Sequence, residues 1–174
     1  MPLILPYHGV SPHIDDSAFV ARTAVVSGDV TIGADSGIWY GCVVRGDVNS
    51  IRIGVGVNIQ DGTVVHVSRP CPTVIGDRVS IGHMALIHAC TLEDDSFVGM
   101  KACVMDGAVV ERGALVAAGS LVTPGKRIPA GQMWAGSPAR YVRDVNDKDR
   151  EMMNYVQPNY VTLAHEYKKT ESET

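Results

Sequence analysis

The chain has 174 residues, 45% of them hydrophobic, enough for one packed domain and too few for two ordinary ones. Its formal net charge of -4, with Lys and Arg scattered along the chain, offers no basic surface to nucleic acid. No run approaches the roughly 20 apolar residues of a membrane span, and MPLILPYHG lacks the basic flank and long apolar core of a signal peptide, so a soluble, cytoplasmic protein is expected.

Residues 1–12 read as a lead-in strand and cap. From Ile14 a step of six meets Val20, Val26, Ile32, Ile38 and Val44. After three extra residues the step resumes at Ile53, Ile59 and Val65, and after four more at Ile75, Ile81 and Ile87. One residue is then lost, and from Leu92 the step runs unbroken through Val98, Val104, Val110, Val116, Val122 and Ile128 to Trp134. A period of six matches neither an amphipathic helix nor the alternation of one strand. It reads as short strand, turn, repeat, with an apolar column facing inward and each rung stabilised by its neighbours. Gly or a short polar residue follows many apolar positions, as in IGADSG and VIGDRV, which suits turns that need small side chains or unusual backbone angles. Few aromatics and 18 Gly fit such a coil better than a helical bundle. The pattern resembles the hexapeptide-repeat family. That resemblance covers residues 13–137 and implies a mainly β fold, a left-handed parallel β-helix with three hexapeptides per triangular coil. The handedness comes from the resemblance; the spacing supplies only the period.

After WAGSPAR the pattern stops, and residues 138–174 are expected to be helical with a disordered tail. Met152, Met153 and Val156 recur at near-helical spacing, and Pro158 is predicted to end or break that helix. A second helix over residues 159–169 would present Val161, Leu163, Ala164 and Tyr167 on one side. Cys42, Cys71, Cys90 and Cys103 form no C-x-x-C pair and read as reduced, mostly structural thiols.

Three histidines interrupt the apolar run: His66, His83 and His88. Counting one coil as 18 residues plus the insertions, Val65 stacks under Ile87 and Val44 under Val65. The outward column beside them then reads Arg45, His66, His88, with rungs about 4.8 Å apart. His83 follows Ile81 by two positions, stacks over Asp61 and lies roughly 16 Å from His88 along the coil, less any shortening at the corner. Zinc holds histidine nitrogens at about 2.0–2.1 Å, so one chain would struggle to bring all three to one ion. In a threefold oligomer, His66 and His88 of one subunit meet His83 of the next, leaving a fourth position open. The competing reading is three packed or surface histidines of a solenoid.

VVRGDV, VNIQDGTVVHV and SIGHMALIHACTL, in that order, closely resemble the short form of the γ-class carbonic anhydrases. The resemblance implies a homotrimer with zinc, or alternatively ferrous iron or cobalt, between subunits, bound by His66, His83 and His88. It implies reversible hydration of carbon dioxide to bicarbonate by hydroxide formed on the metal. Gln60 and Asn58 match the amide pair that hydrogen-bonds water and bicarbonate there, and Arg45 and Asp47 match the family's interface ion pair. Asp61 matches a neighbouring carboxylate, and Tyr160 a tyrosine of the C-terminal helix that reaches the site. Each has a structural alternative: Arg45 and Asp47 as a pair that only fixes the trimer, Asp61 as a turn residue, Tyr160 as packing on the prism. The chain departs from the best-known form in carrying Val48 directly after RGD and the short SRPCP segment after His66, so neither acidic proton shuttle is present. Three other readings compete: hydrolysis of acyl-CoA thioesters on the same metal site, acyl transfer of the kind that IPAGQMWAGSPAR resembles, and a non-catalytic trimeric scaffold.

Overall fold

The period of six folds into a triangular prism in the computed structural model, which describes residues 1–172. It is a parallel β-solenoid of about seven turns with one C-terminal helix. Most rungs are two-residue strands such as Ser80–Ile81, Phe97–Val98 and Leu115–Val116, paired in parallel with the rungs above and below. Two residues are enough because a strand this short gains its hydrogen bonds from two neighbouring coils, not from its own length. The longer strands Val25–Ile32 and Val43–Ile53 turn a corner, and so join two faces of the prism into one 12-stranded sheet. The third face is an 8-stranded sheet.

Each face sends one residue per rung into the core. Val26, Val44, Val65, Ile87, Val104 and Val122 come from the first face, and every member of the period from Val26 to Ile128 is buried. Burying each such side chain stabilises the prism by about 1.5–3 kcal/mol. Ile14, Val20 and Trp134 are only partly buried, because the stack ends there and no further rung covers them. The two needs expected of the turns, small side chains and unusual backbone angles, fall on different residues. A Cβ on Gly82 would lie 2.6 Å from the Met100 nitrogen, and one on Gly99 2.5 Å from the Ala118 nitrogen. The glycine after the apolar position is therefore there for close approach of the next coil. Positive φ falls two residues later, on Asp35, Arg78, Met84, Asp95 and Lys101 as well as on glycines.

All three breaks in the period lie at one corner of the prism, between the first and second faces. The register passes from Gly28↔Gly46 to Val30↔Ile51, so the first insertion is a bulge at residues 47–49. The second is a small loop closed by backbone hydrogen bonds between Ser68 and Cys71 at 3.1 and 3.2 Å. The shortened corner turns on Ala89, at φ 49. Register resumes at once, with Ile53↔Ile75 and Ile75↔Leu92.

The tail differs from expectation in two ways. Residues 140–144 form a strand, Arg140–Asp144, antiparallel to Gln132–Ala135, and its arginines leave a charged outer edge. The two expected helices are one, Asp147–Ser172, with Pro158 inside. Proline removes one backbone bond at a cost of about 3 kcal/mol, but docking along the third face offsets it. Ala164 is buried there, Tyr160 and Tyr167 each pack edge-on against Trp39 at 5.3 Å, and Gln157 Nε2 donates to the Gly56 carbonyl at 2.6 Å. Asn146 and Asp149 cap the start reciprocally, at 2.8 and 3.1 Å. The helix runs on to Ser172, past the expected end at residue 169, and the last two residues of the expected disordered tail, 173 and 174, lie outside the described residues. Among the described residues no helix is long and apolar enough to cross a membrane, and the four cysteines are free. Burial pushes the Cys42 and Cys90 thiols up to about 12, which keeps them unreactive.

Candidate functional site

Strands Val64–His66 and Leu86–His88 pair with His66 opposite His88, and Arg45 pairs with His66 on the other side. Val65 and Ile87 are fully buried, so the residues after them point outward. The column Arg45, His66, His88 therefore stands as the period implies. The two imidazoles are tilted by 53°, with His66 Nδ1 and His88 Nε2 3.3 Å apart.

A carboxylate holds the other nitrogen of each ring. His66 Nε2 lies 3.0 Å from Asp47 Oδ1, and His88 Nδ1 lies 2.6 Å from Asp106 Oδ1. With both outer N–H groups donated to carboxylates, the facing nitrogens present two lone pairs, which repel unless a proton or cation lies between them. For a tetrahedral ion with bonds of about 2.0–2.1 Å, ligand nitrogens sit about 3.4 Å apart, close to the observed spacing. The donor set thus fits a metal such as zinc, and the carboxylate behind each ring is the usual partner of a metal-binding histidine. The hydrogen bond from His88 holds the Asp106 carboxyl below its ordinary value. Burial pushes Asp47 up, but contacts with His66, the Val48 N–H and Arg45 outweigh it, and its net shift is also downward. Arg45 and Asp47 are ion-paired within this one chain.

His83 stands elsewhere, over Asp61, with Nδ1 2.9 Å from Asp61 Oδ2 and Nε2 3.5 Å from the Tyr160 hydroxyl. Gln60 lines the same cavity as His83 and Tyr160, is 5% exposed and has no side-chain hydrogen bond among the described residues. Burial, then the charge of Asp61, raises the Tyr160 pKa and keeps its hydroxyl protonated. Asn58 is turned away from this cavity. Its Nδ2 donates to Ser80 Oγ at 2.8 Å, and its buried Oδ1 has no partner among the described residues.

The structure thus makes two clusters of the sequence-derived candidates. Arg45, Asp47, His66 and His88 form one, Gln60, Asp61, His83 and Tyr160 form the other, and Asn58 belongs to neither. Among the described residues no three His, Cys, Asp or Glu side chains converge on a point where one chain alone could hold a metal. Asp106 is the residue that the sequence reading missed. It lies 18 residues beyond His88, one coil on, so the same counting that aligned His66 with His88 would have found it.

No known protein-family profile matches the chain. Individual relatives do. The chain is 50% identical over 160 residues to γ carbonic anhydrase 2, mitochondrial, of Arabidopsis thaliana, covering 88% of this chain and 58% of that protein. This chain thus spans little more than half the length of that relative. It is 48% identical over 151 residues to a probable carbonic anhydrase of Methanocaldococcus jannaschii, covering 87% and 95% of the two chains. Among solved structures, a hexapeptide transferase family protein from Anaplasma phagocytophilum superposes with a TM-score of 0.91 at 48% identity, covering 95% of this chain and 98% of that one. That likeness carries the left-handed coil of the hexapeptide-repeat fold. With relatives this similar over nearly their whole length, the chain belongs to the γ carbonic anhydrase family of hexapeptide-repeat proteins.

Proposed function

We propose that this protein hydrates carbon dioxide reversibly to bicarbonate at a metal site built between copies of the chain, in a homotrimer. The observation that carries the reading is the pair of facing nitrogens on His66 and His88, 3.3 Å apart, with His83 in a separate cluster. Two ligands from one copy and one from the next would complete three, and exposed Val64, Leu86, Met84 and Met100 flank them as an apolar surface for that contact. Zinc suits a three-histidine set with an open position, with ferrous iron or cobalt as alternatives. Bound there, the metal would act as a Lewis acid and lower the pKa of water from about 15.7 to about 7.

The chain's own residues have separable roles in this reading. Asp47, Asp61 and Asp106 each take the N–H of one histidine and so fix its tautomer and orientation. The Gln60 amide donates and accepts without adding charge, which suits an uncharged substrate that becomes an anion. Tyr160 holds its proton beside His83, and Arg45 places a cation next to the column where bicarbonate forms.

The test is stopped-flow carbon dioxide hydration on metal-quantified protein, with His88→Ala in parallel. Hydration that requires both metal and His88 supports the reading; metal bound at one per chain without hydration rejects it. Acyl transfer is the second reading, favoured by the transferase name of the solved relative and by the closing segment IPAGQMWAGSPAR. Acetyl-CoA-dependent activity that survives chelation and the loss of His66 would select it.

A further inference from the structure

We propose that the polar cavity between the first half of the helix Asp147–Ser172 and the corner at Arg78 and Asp95 binds a small organic monocarboxylate, with its carboxylate on Arg150. The cavity, of about 370 Å³, is within the usual range for small-molecule sites. It shares no residue with either cluster of site candidates. Ser80 and Ser96, both buried, line it from the prism, and Arg150, Asn154 and Gln157, spaced by four and three residues on one face of the helix, line it from the other side. A docked helix gains most from an apolar face, and further on the same face carries Val161 and buries Ala164. Over the cavity it is polar instead. Polar side chains on both sides of a packed junction suit a polar occupant.

The unmatched groups indicate what kind of molecule enters. Ser96 stands two residues before the inward Val98, and Ala102, Ala108 and Ala114 hold the same place before Val104, Val110 and Val116, each buried. Alanine therefore suffices there. Where serine recurs at this place it is paired: Ser36 Oγ donates to the Gly54 carbonyl at 2.9 Å, and Ser120 Oγ accepts from the Gly136 N–H at 3.2 Å. The Ser96 hydroxyl, 1% exposed as a residue, has no partner among the described residues. Leaving it unpaired is costly, and a ligand oxygen would accept from it. The cavity's own carboxylate, Asp95, is engaged by Arg78 Nε and Nη2 at 2.7 and 3.0 Å and by Arg112 at 3.2 Å. Arg150 is less well matched. Its Nη2 donates to the Val145 carbonyl at 2.8 Å, while the carboxylate beside it, Asp147 at 3.9 Å, is fully exposed. One weakly compensated guanidinium suits one negative charge, and its fork matches the two oxygens of a carboxylate. Phe97, Val145 and Met153 complete the lining with apolar surface for a hydrocarbon body.

Calorimetric titration of the full chain with benzoate, run on the parent and on His88→Ala, tests it. Equal, saturable binding by both is expected, at least tenfold tighter than for benzamide, which has the shape without the charge, or for phenyl phosphate, which is largely a dianion. Arg150→Gln should weaken benzoate binding at least tenfold and Ser96→Ala at least threefold, with carbon dioxide hydration as in the parent. Ser96→Ala should also fold as the parent does, since alanine holds that place on later coils. No saturable binding, benzamide or phenyl phosphate bound as tightly as benzoate, or undiminished binding by either variant would overturn the proposal. So would binding lost in His88→Ala, which would put benzoate on the metal instead. The inference does not rest on the proposed function: a parent that binds benzoate but does not hydrate carbon dioxide would reject that function alone.

Discussion

Residues 92–134 and residues 44–92 build the same prism in different ways. In the first stretch the step of six never breaks, Val98 to Ile128 fill the core in unbroken order, and none of the candidate ligands occurs. In the second, three breaks in phase fall immediately after Arg45, His66 and His88, all at one corner. The corner absorbs a bulge, a loop and a deletion while the other two corners keep their register. Residues that depart from a repeat at a cost to regularity are where chemistry is to be sought, and here the departures place Asp47 against His66 and leave the histidine column at the surface.

The most severe way to break the contrast is His88→Ala. Bound metal, read by elemental analysis, and carbon dioxide hydration should fall to background while the thermal midpoint barely moves, because His88 faces outward and carries no core packing. Leu92→Ala tests the regular stretch in turn. This fully buried residue should cost about 2–5 kcal/mol in urea unfolding, with metal stoichiometry retained once folded. Asp106→Asn sharpens the comparison, since it lies within the regular stretch yet touches His88. Chelator competition should show metal affinity reduced about 10- to 100-fold with little change in stability.

The smallest effect concerns the helix that spans both stretches. Asp149→Ala removes one half of the helix cap and should cost about 1 kcal/mol. The hydrogen bond from Arg143 holds the Asp149 carboxyl below its ordinary value. Its contribution is therefore full above about pH 4 and lost as pH falls through the depressed value, so parent and variant should converge in acid melts.

How much of this was legible in the sequence depends on the range of each interaction. The inward column, the stacking of His66 under His88 and the placing of His83 over Asp61 all follow from counting residues, because each coil repeats the last. Which glycines serve close approach and which serve an unusual φ stayed open, because close approach between coils leaves no trace in a single hexapeptide. Pro158 neither ends nor breaks the helix as expected, because docking on Trp39 and Gly56 outweighs a local propensity. Asp106 lay within reach of the counting and was not sought.

By itself the sequence determined the period, the core and the column of histidines, since these depend on spacing along the chain. Only the tertiary structure decided that each histidine is backed by its own carboxylate, that Gln60 joins His83 and not Asn58, and that a polar cavity opens between the helix and Ser80 and Ser96. Those arrangements join residues from different coils and from a helix 77 positions beyond His83, where side-chain orientation and helix docking, not spacing, set the contacts.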